Sequence, residues 1–357
     1  MKTIFLLSNE PWGPVWYSKQ HYAYELGLLG YLVYFVSPPK SWKFRFLSSP
    51  HFNIDKVNDN LFIIEYGNRV PNLSKSRFLV GINDRWLQKK LKNLANENSM
   101  IWQFDPFRII NPLLKRIYHV TDPFFTFKLN NIIATNSNLV VCTNENFEEH
   151  YNKLNSNVIH IPHGISQHSY RHTVEQVMAL QKEYGKYAVF VGGIMFDTNL
   201  ELFHEVAATE GINLVIIGKM ELSAHEDLVS WNKLLNDSSV HYLGVKKYQE
   251  LGDYIQASLI GLCPYKFPKD HEGGRSPLKI LHYLAQGKNV ICTIDSKIPE
   301  LENQGIYRCQ SVEEFNAVLT DCLKGKLIFN ETAVSNYLSK HHYSELIKTI
   351  INHVDNE

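Results

Sequence analysis

The chain has 357 residues, with 36 Lys plus Arg against 36 Asp plus Glu, so its formal net charge is zero. Apolar residues make up 44% and charged residues 20%, a globular composition that excludes extended disorder, and the length suits two domains. A balanced total also excludes the Lys/Arg excess by which most nucleic-acid binders are recognised, so no nucleic-acid partner is expected. The balance hides an asymmetry. Residues 1–165 carry 18 basic and 12 acidic side chains, a net of +6, whereas 166–357 carry 18 and 24, a net of −6. Halves of opposite sign point to different partners.

In chain order, the opening segment Met1-Lys2-Thr3-Ile4-Phe5-Leu6-Leu7-Ser8 starts like a signal peptide, but Asn9 and Glu10 end its apolar run. At about five residues the run is too short for a leader's h-region or a membrane span, and it reads as a buried strand. Further short β-rich runs at 32–36, 61–66, 100–104, 139–143 and 158–162 alternate with helical patterns at 18–29 and 146–154. A polar stretch at 166–172 interrupts the series, which then restarts with strands at 188–191, 214–217, 240–243, 259–264 and 289–293. Helices are expected at 200–209, 225–235, 248–256 and 277–286, and one long helix at 334–354. Alternation of this kind specifies parallel α/β sheets. The expected architecture is an N-terminal Rossmann-like domain over 1–165, a second over 173–333, and a C-terminal helical segment over 334–357. Five scattered cysteines without C-x-x-C spacing (Cys142, Cys263, Cys292, Cys309, Cys322) suit a reduced, cytoplasmic protein without structural metal.

In doubly wound folds, ligands bind beyond the carboxyl ends of the strands, so the strand-to-helix loops are the places to look for chemistry. The strongest pattern is Glu272-Gly273-Gly274-Arg275-Ser276-Pro277-Leu278-Lys279. Ser276 suits an N-cap and Pro277 a first helical residue. The helix start attracts anions, Arg275 and Lys279 add two cations within a turn, and the paired glycines admit a ligand to the backbone. A diphosphate suits this site; a plain capped helix with solvated charges fits the same pattern.

Gly192-Gly193 after the 188–191 strand lacks the G-x-G-x-x-G fingerprint, so phosphate approach and a tight turn both remain open. Lys219, at the end of the next strand, points to the same crevice or is a solvated loop lysine. Near the N-terminus, Trp12, Gly13 and Trp16 can stack on a sugar or pack a long loop onto the sheet, and Ser18 can cap the helix that carries His21. At the end of the strand-like segment Tyr118-His119-Val120-Thr121-Asp122, His119 or Asp122 could serve as a general base, and Asp122 equally suits a helix cap. The pairs His160/His163 and His168/His172 lack a third ligand, so no metal is assigned.

In order and spacing, these segments resemble sugar-nucleotide-dependent glycosyltransferases of the two-Rossmann (GT-B) architecture. The resemblance is to the family-four-like (group 1) enzymes of bacterial polysaccharide, lipopolysaccharide and teichuronic acid assembly. It is carried by Pro11 through Ser18, His21-Tyr22-Ala23, Val33 through Pro39, Asn138 through Thr143 and Pro162-His163-Gly164. In the second half it is carried by Val191-Gly192-Gly193, Val215 through Gly218, Val240 through Gly244, and Ser276 through Lys279 with Gly287. The resemblance implies two domains facing a cleft, with a glycan or lipid-linked acceptor on the first and a nucleoside diphosphate sugar, as co-substrate, on the second. It implies a final helix returning to the first domain and no further cofactor. Donor contacts would come from Gly192, Gly193, Lys219, Gly244, Val245 (near the base), Glu272, Arg275, Ser276, Pro277, Leu278, Lys279 and His282. Acceptor-side contacts would come from Trp12, Gly13, Trp16, Ser18 and His21, with Asp122 or His119 as base.

One departure is visible. The family's E-x7-E motif would place glutamates where this chain has Gly274 and His282, with Glu272 displaced by two. A non-catalytic glycosyltransferase-like subunit and a nucleotide-sugar epimerase are the alternative readings. Cations interleaved with apolar residues in 40–47 and 85–92 suit the anionic cytoplasmic face of a membrane, and suit solvated surfaces equally.

Overall fold

The computed structural model describes residues 2–40, 51–71, 77–110, 114–267 and 277–356. Glu272, Arg275 and Ser276, and residues 41–47 of the basic segment, lie outside them. The chain forms two compact units, one of residues 1–163 with 343–357 and the other of 164–342.

The first unit is built on eight strands: β1 Thr3–Leu7, β2 Leu32–Val36, β3 Phe52–Lys56, β4 Leu61–Tyr66, β5 Ser99–Gln103, β6 Lys115–Val120, β7 Leu139–Cys142 and β8 Val158–His160. Their order is β3-β4-β2-β1-β5-β6-β7-β8. All pairs are parallel except β3 with β4. The outer strand of that edge hairpin, β3, is absent from the sequence reading because Asn53, Asp55 and Lys56 give it no apolar run. Its turn is made locally, with Asn58 Oδ1 accepting from the N–H groups of Asn60 and Leu61. The order reverses between β1 and β5, so the loops after these two strands flank the switch point where ligands enter such sheets.

A buried ion pair fixes those loops. Asp105 and Arg108 are 2% and 5% exposed, and Arg108 Nε lies 2.5 Å from Asp105 Oδ2. The rest of the guanidinium donates to Ser8 O after β1, Ser37 O after β2 and Tyr66 Oη at the end of β4. One planar fork thus ties four strand ends together, a geometry for which lysine has no equivalent.

The second unit carries β9 Tyr187–Val191, β10 Asn213–Ile217, β11 Val240–Tyr242, β12 Ile260–Cys263, β13 Val290–Cys292 and β14 Ile306–Arg308. Their order, β11-β10-β9-β12-β13-β14, is the doubly wound arrangement, all parallel, with its switch point between β9 and β12.

The segment expected as one helix over 334–354 is two, Glu331–Lys340 and Tyr343–Asp355. Their apolar stripes serve different cores. Val334 and Leu338 pack into the second unit, whereas Tyr343, Leu346, Ile347, Ile350, Ile351 and Val354 are buried in the first. The break between the two helices falls at His341–His342, where Ile165 N–H donates to His341 O. Among the described residues, no helix is long and apolar enough to cross a membrane.

Removing Arg108 leaves a buried carboxylate and two backbone carbonyls without their donor. Arg108→Ala is expected to destabilise the first unit by about 3–5 kcal/mol in urea denaturation. A loss under about 1 kcal/mol would show that the ion pair does not hold the strand ends.

Candidate functional site

The second unit gathers its candidate residues at its switch point. β9 is followed by Gly192 and β10 by Gly218, with φ of 144° and 148°, a region that side chains disfavour. A Cβ on Gly218 would sit 1.8 Å from Gly192 O, so the two loops touch backbone to backbone. Gly192 N–H donates to Ile217 O, and Gly218 N–H donates to Gly244 O, itself at φ 63°. These bonds bring the three strand-end turns of β9, β10 and β11 into one row. Gly193 is exposed beside them, as is Val245 after Gly244.

The helix Leu278–Ala285 supplies the cation. Lys279 Nζ lies 2.9 Å from where a Cβ on Gly192 would be, filling the notch that the glycine leaves open. It sits 4.1 Å from the ring centroid of Phe190 and 5.3 Å from that of Tyr265, so two π faces hold the ammonium in place. Tyr265 is in turn clamped, donating its N–H to Thr293 Oγ1 and accepting the Thr293 hydroxyl at its carbonyl. Tyr283, one turn after Lys279, accepts from Val191 N–H and donates to Leu262 O, docking the helix between β9 and β12. The helix begins at Leu278 with Pro277 as its N-cap residue, one position later than the expected Ser276 cap. Pro277 has extended backbone (ψ 114°), so it precedes the first turn instead of opening it. Lys279 is therefore the second helical residue, beside N–H groups that have no partner within the helix.

Lys219 and His282 stand apart from this cation. The Lys219 ammonium pairs with Glu221, and it is the Lys219 carbonyl that borders the glycine loop, accepting Ile194 N–H. His282 is 8% exposed on another face of the helix, 5.5 Å from the Tyr248 ring, whose hydroxyl meets Ser166 and Ser169. Burial pushes the His282 imidazole down to about 4, so it is neutral at pH 7.

In the first unit the expected acceptor side is more enclosed than the sequence suggests. Trp12 and Trp16 pack on each other at 5.3 Å, with Trp12 against Phe35 and Trp16 against His21 and Tyr24. His21 is fully buried between Trp16 and Tyr343, which removes it from the surface where an acceptor would bind. Gly13 faces open space. Ser18 does not cap its helix. Tyr17 is the N-cap residue and Gln20 Oε1 accepts its N–H, which leaves the Ser18 hydroxyl 2.9 Å from His163 Nδ1.

His119 is corrected from candidate base to core residue. It is 0% exposed, its Nδ1 accepts from Trp102 Nε1–H, and Phe104 and Tyr22 wall its ring. Asp122 is exposed and begins no helix. The next one starts at Lys128 after Phe127, and the Asp122 carboxylate accepts from the Thr121 hydroxyl. Its charge acts on two groups that sequence reasoning missed as a pair. Lys19 is 5% exposed; burial lowers its pKa while Asp122, Glu10 and Asp105 oppose that shift. His163 is pushed down to about 4 by burial, with Asp122 opposing and Lys19 assisting. Ser18 and His163 are 145 residues apart and no local signal connects them; Lys19 reads as an ordinary surface lysine in its helix pattern. Among the described residues, no group of three His, Cys, Asp or Glu side chains forms a metal site.

The buried neutral imidazoles predict a pH effect. His119, His163 and His282 are all held below the usual histidine range, so the unfolded chain binds more protons than the folded one. Each contribution is complete above about pH 6.5 and is lost as pH falls below it, toward about 4 for His163 and His282, at about 1.4 kcal/mol per pH unit for each group. Replacing His119 by Phe should flatten the stability-versus-pH slope between 6.5 and 5 by about that amount in urea denaturation. A slope unchanged by the substitution would mean that His119 is not a buried neutral group.

Residues 185–324 match a family model described as Glycosyl transferases group 1. No curated protein matches the chain. Among solved structures, it resembles an α,α-trehalose-phosphate synthase (UDP-forming) from Burkholderia xenovorans in complex with glucose-6-phosphate. That likeness has TM-score 0.73 at 10% identity, over 99% of this chain and 100% of the other. It resembles sucrose-phosphate synthase from Thermosynechococcus elongatus with TM-score 0.69 at 13% identity, over 99% and 98% of the two chains. It resembles Anabaena HepE in complex with UDP with TM-score 0.63 at 13% identity, over the whole of both. The chain thus has the two-sheet GT-B fold, and its residues 185–324 are similar to the group 1 glycosyltransferases.

Proposed function

We propose that the protein transfers a sugar, a hexosyl or related residue, from a nucleoside diphosphate sugar to a glycan or lipid-linked acceptor. The observation that carries this reading is the Lys279 ammonium lodged in the Gly192 notch at the start of a helix. When the bond from the anomeric carbon to the donor breaks, negative charge develops on the leaving diphosphate. A fixed cation and helix N–H groups at that position bind the transition state more tightly than the ground state. Arg275, four residues earlier, would add a second cation, and Glu272 and Ser276 further polar contacts. With these cations the transfer would need no metal. Gly193, Gly244 and Val245, at the strand-end turns beside this cation, would frame the sugar, ribose and base.

The first unit would hold the acceptor, near Gly13, Ser18, Lys19 and Asp122. An exposed carboxylate can take the acceptor hydroxyl's proton if the reaction inverts the anomeric carbon; a retaining reaction needs no such base. Support for a UDP-type donor and an anionic acceptor comes from relatives of the same fold, one in complex with UDP and one with glucose-6-phosphate. The setting we infer is bacterial surface-polysaccharide assembly at the cytoplasmic face of the membrane, with the basic half facing anionic lipid.

The test is incubation with nucleoside diphosphate sugars and acceptor lipid extract, with mass spectrometry of released nucleotide. Lys279→Met should lower turnover by about 10²–10³-fold while preserving the fold. Asp122→Asn should lower it by about 10²–10⁴-fold if the enzyme inverts. Unchanged turnover in Lys279→Met would sink the assignment. Thermal stabilisation by a nucleotide sugar without turnover would favour the non-catalytic alternative.

A further inference from the structure

A cavity of about 980 Å³ opens in the first unit between the helix Arg77–Lys92, the loop after β5 and the helix Lys128–Thr135. That volume lies near the top of the range of small-molecule sites, about 300–1,000 Å³. Its walls are apolar and wet: Phe107, Phe127 and Ile132 are 43%, 44% and 39% exposed, and the two phenylalanine rings meet edge to face at 5.2 Å. Solvent contact of this kind is unfavourable for three large side chains around one concavity, and a hydrocarbon would relieve it.

Two cations, Arg85 and Lys128, line the same cavity, and neither has an ion pair among the described residues. The one acid in the wall is otherwise engaged. Asp84 Oδ2 accepts Ile109 N–H and faces the buried Arg108. Gly81 lies in the second turn of a 16-residue helix, an interior position where glycine is unfavourable, and a Cβ there would meet nothing within 4 Å. The open space is therefore part of the cavity and not a fault in packing.

We propose that this cavity binds a single hydrocarbon chain carrying a phosphate head, the chain among Phe107, Phe127 and Ile132 and the head on Arg85 and Lys128. The paired apolar wall and uncompensated positive rim match an anionic amphiphile and discriminate against a neutral one. This binding stands whether or not the chain transfers sugar, and its test needs no turnover.

Calorimetry of the full chain with monomeric dodecyl phosphate, dodecanol and inorganic phosphate tests it, beside co-sedimentation with phosphatidylglycerol and phosphatidylcholine vesicles. Dodecyl phosphate should bind at least tenfold more tightly than either control, and Arg85→Gln/Lys128→Gln should remove that preference. Gly81→Leu places a side chain in open space on a helix and should keep or raise Tm while abolishing the binding. If Gly81→Leu also releases the protein from phosphatidylglycerol vesicles, the chain comes from a bilayer lipid. If vesicle binding persists while dodecyl phosphate binding is lost, the occupant is a free amphiphile. No binding of dodecyl phosphate, or binding that Gly81→Leu leaves intact, overturns the proposal.

Discussion

The close approach of Gly192 to Gly218 is the constraint on which the second unit's chemistry depends. The two backbones can touch there only because Gly218 has no Cβ, and both glycines have φ values that side chains disfavour. The missing Cβ of Gly192 opens the notch that Lys279 fills. Phe190 and Tyr265 hold the ammonium by their π faces, and Tyr283 docks its helix to the sheet through two backbone bonds. A cation set by packing is preorganised, so little reorganisation is needed when charge develops nearby.

The first unit reaches its geometry by a different device. Arg108 joins the ends of β1, β2 and β4 to the loop after β5, so the strand-end loops are positioned by one buried guanidinium. Around them, a neutral His163 is bonded to Ser18, and a buried Lys19 lies within the field of Asp122. Buried ionic groups of this kind contribute little net stability when complete, and their removal is costly. They fix where the loops sit.

Much of the fold was legible because parallel strands are buried on both faces and so appear as apolar runs. Thr3–Leu7, Leu32–Val36 and Leu61–Tyr66 have the bounds read from sequence. Strands carrying charge were harder to read: Phe52–Lys56, mostly polar, was missed, and of Lys115–Val120 only the end at Tyr118 was read, because the fully buried Arg116 interrupts the apolar run. The C-terminal break was hidden because both helices have 3.6-residue periodicity, and only the directions of their two stripes separate them. In the site, glycines at strand ends and Lys279 near a helix start were visible as local patterns. His119, near a strand end, and His21, in the first turn of a helix, were misplaced because a histidine looks the same in sequence whether it faces solvent or an aromatic core. The Ser18–His163 contact is a product of tertiary structure alone.

The most direct measurement is the affinity of the wild-type chain and of Lys279→Met for nucleoside diphosphates and the matching monophosphates, by calorimetry across the common bases. A lysine placed to meet the leaving diphosphate predicts at least a tenfold preference for one diphosphate over its monophosphate, about 1.4 kcal/mol, that Lys279→Met abolishes. Equal affinity for the two, or a preference untouched by Lys279→Met, would contradict the placement of the donor at this notch.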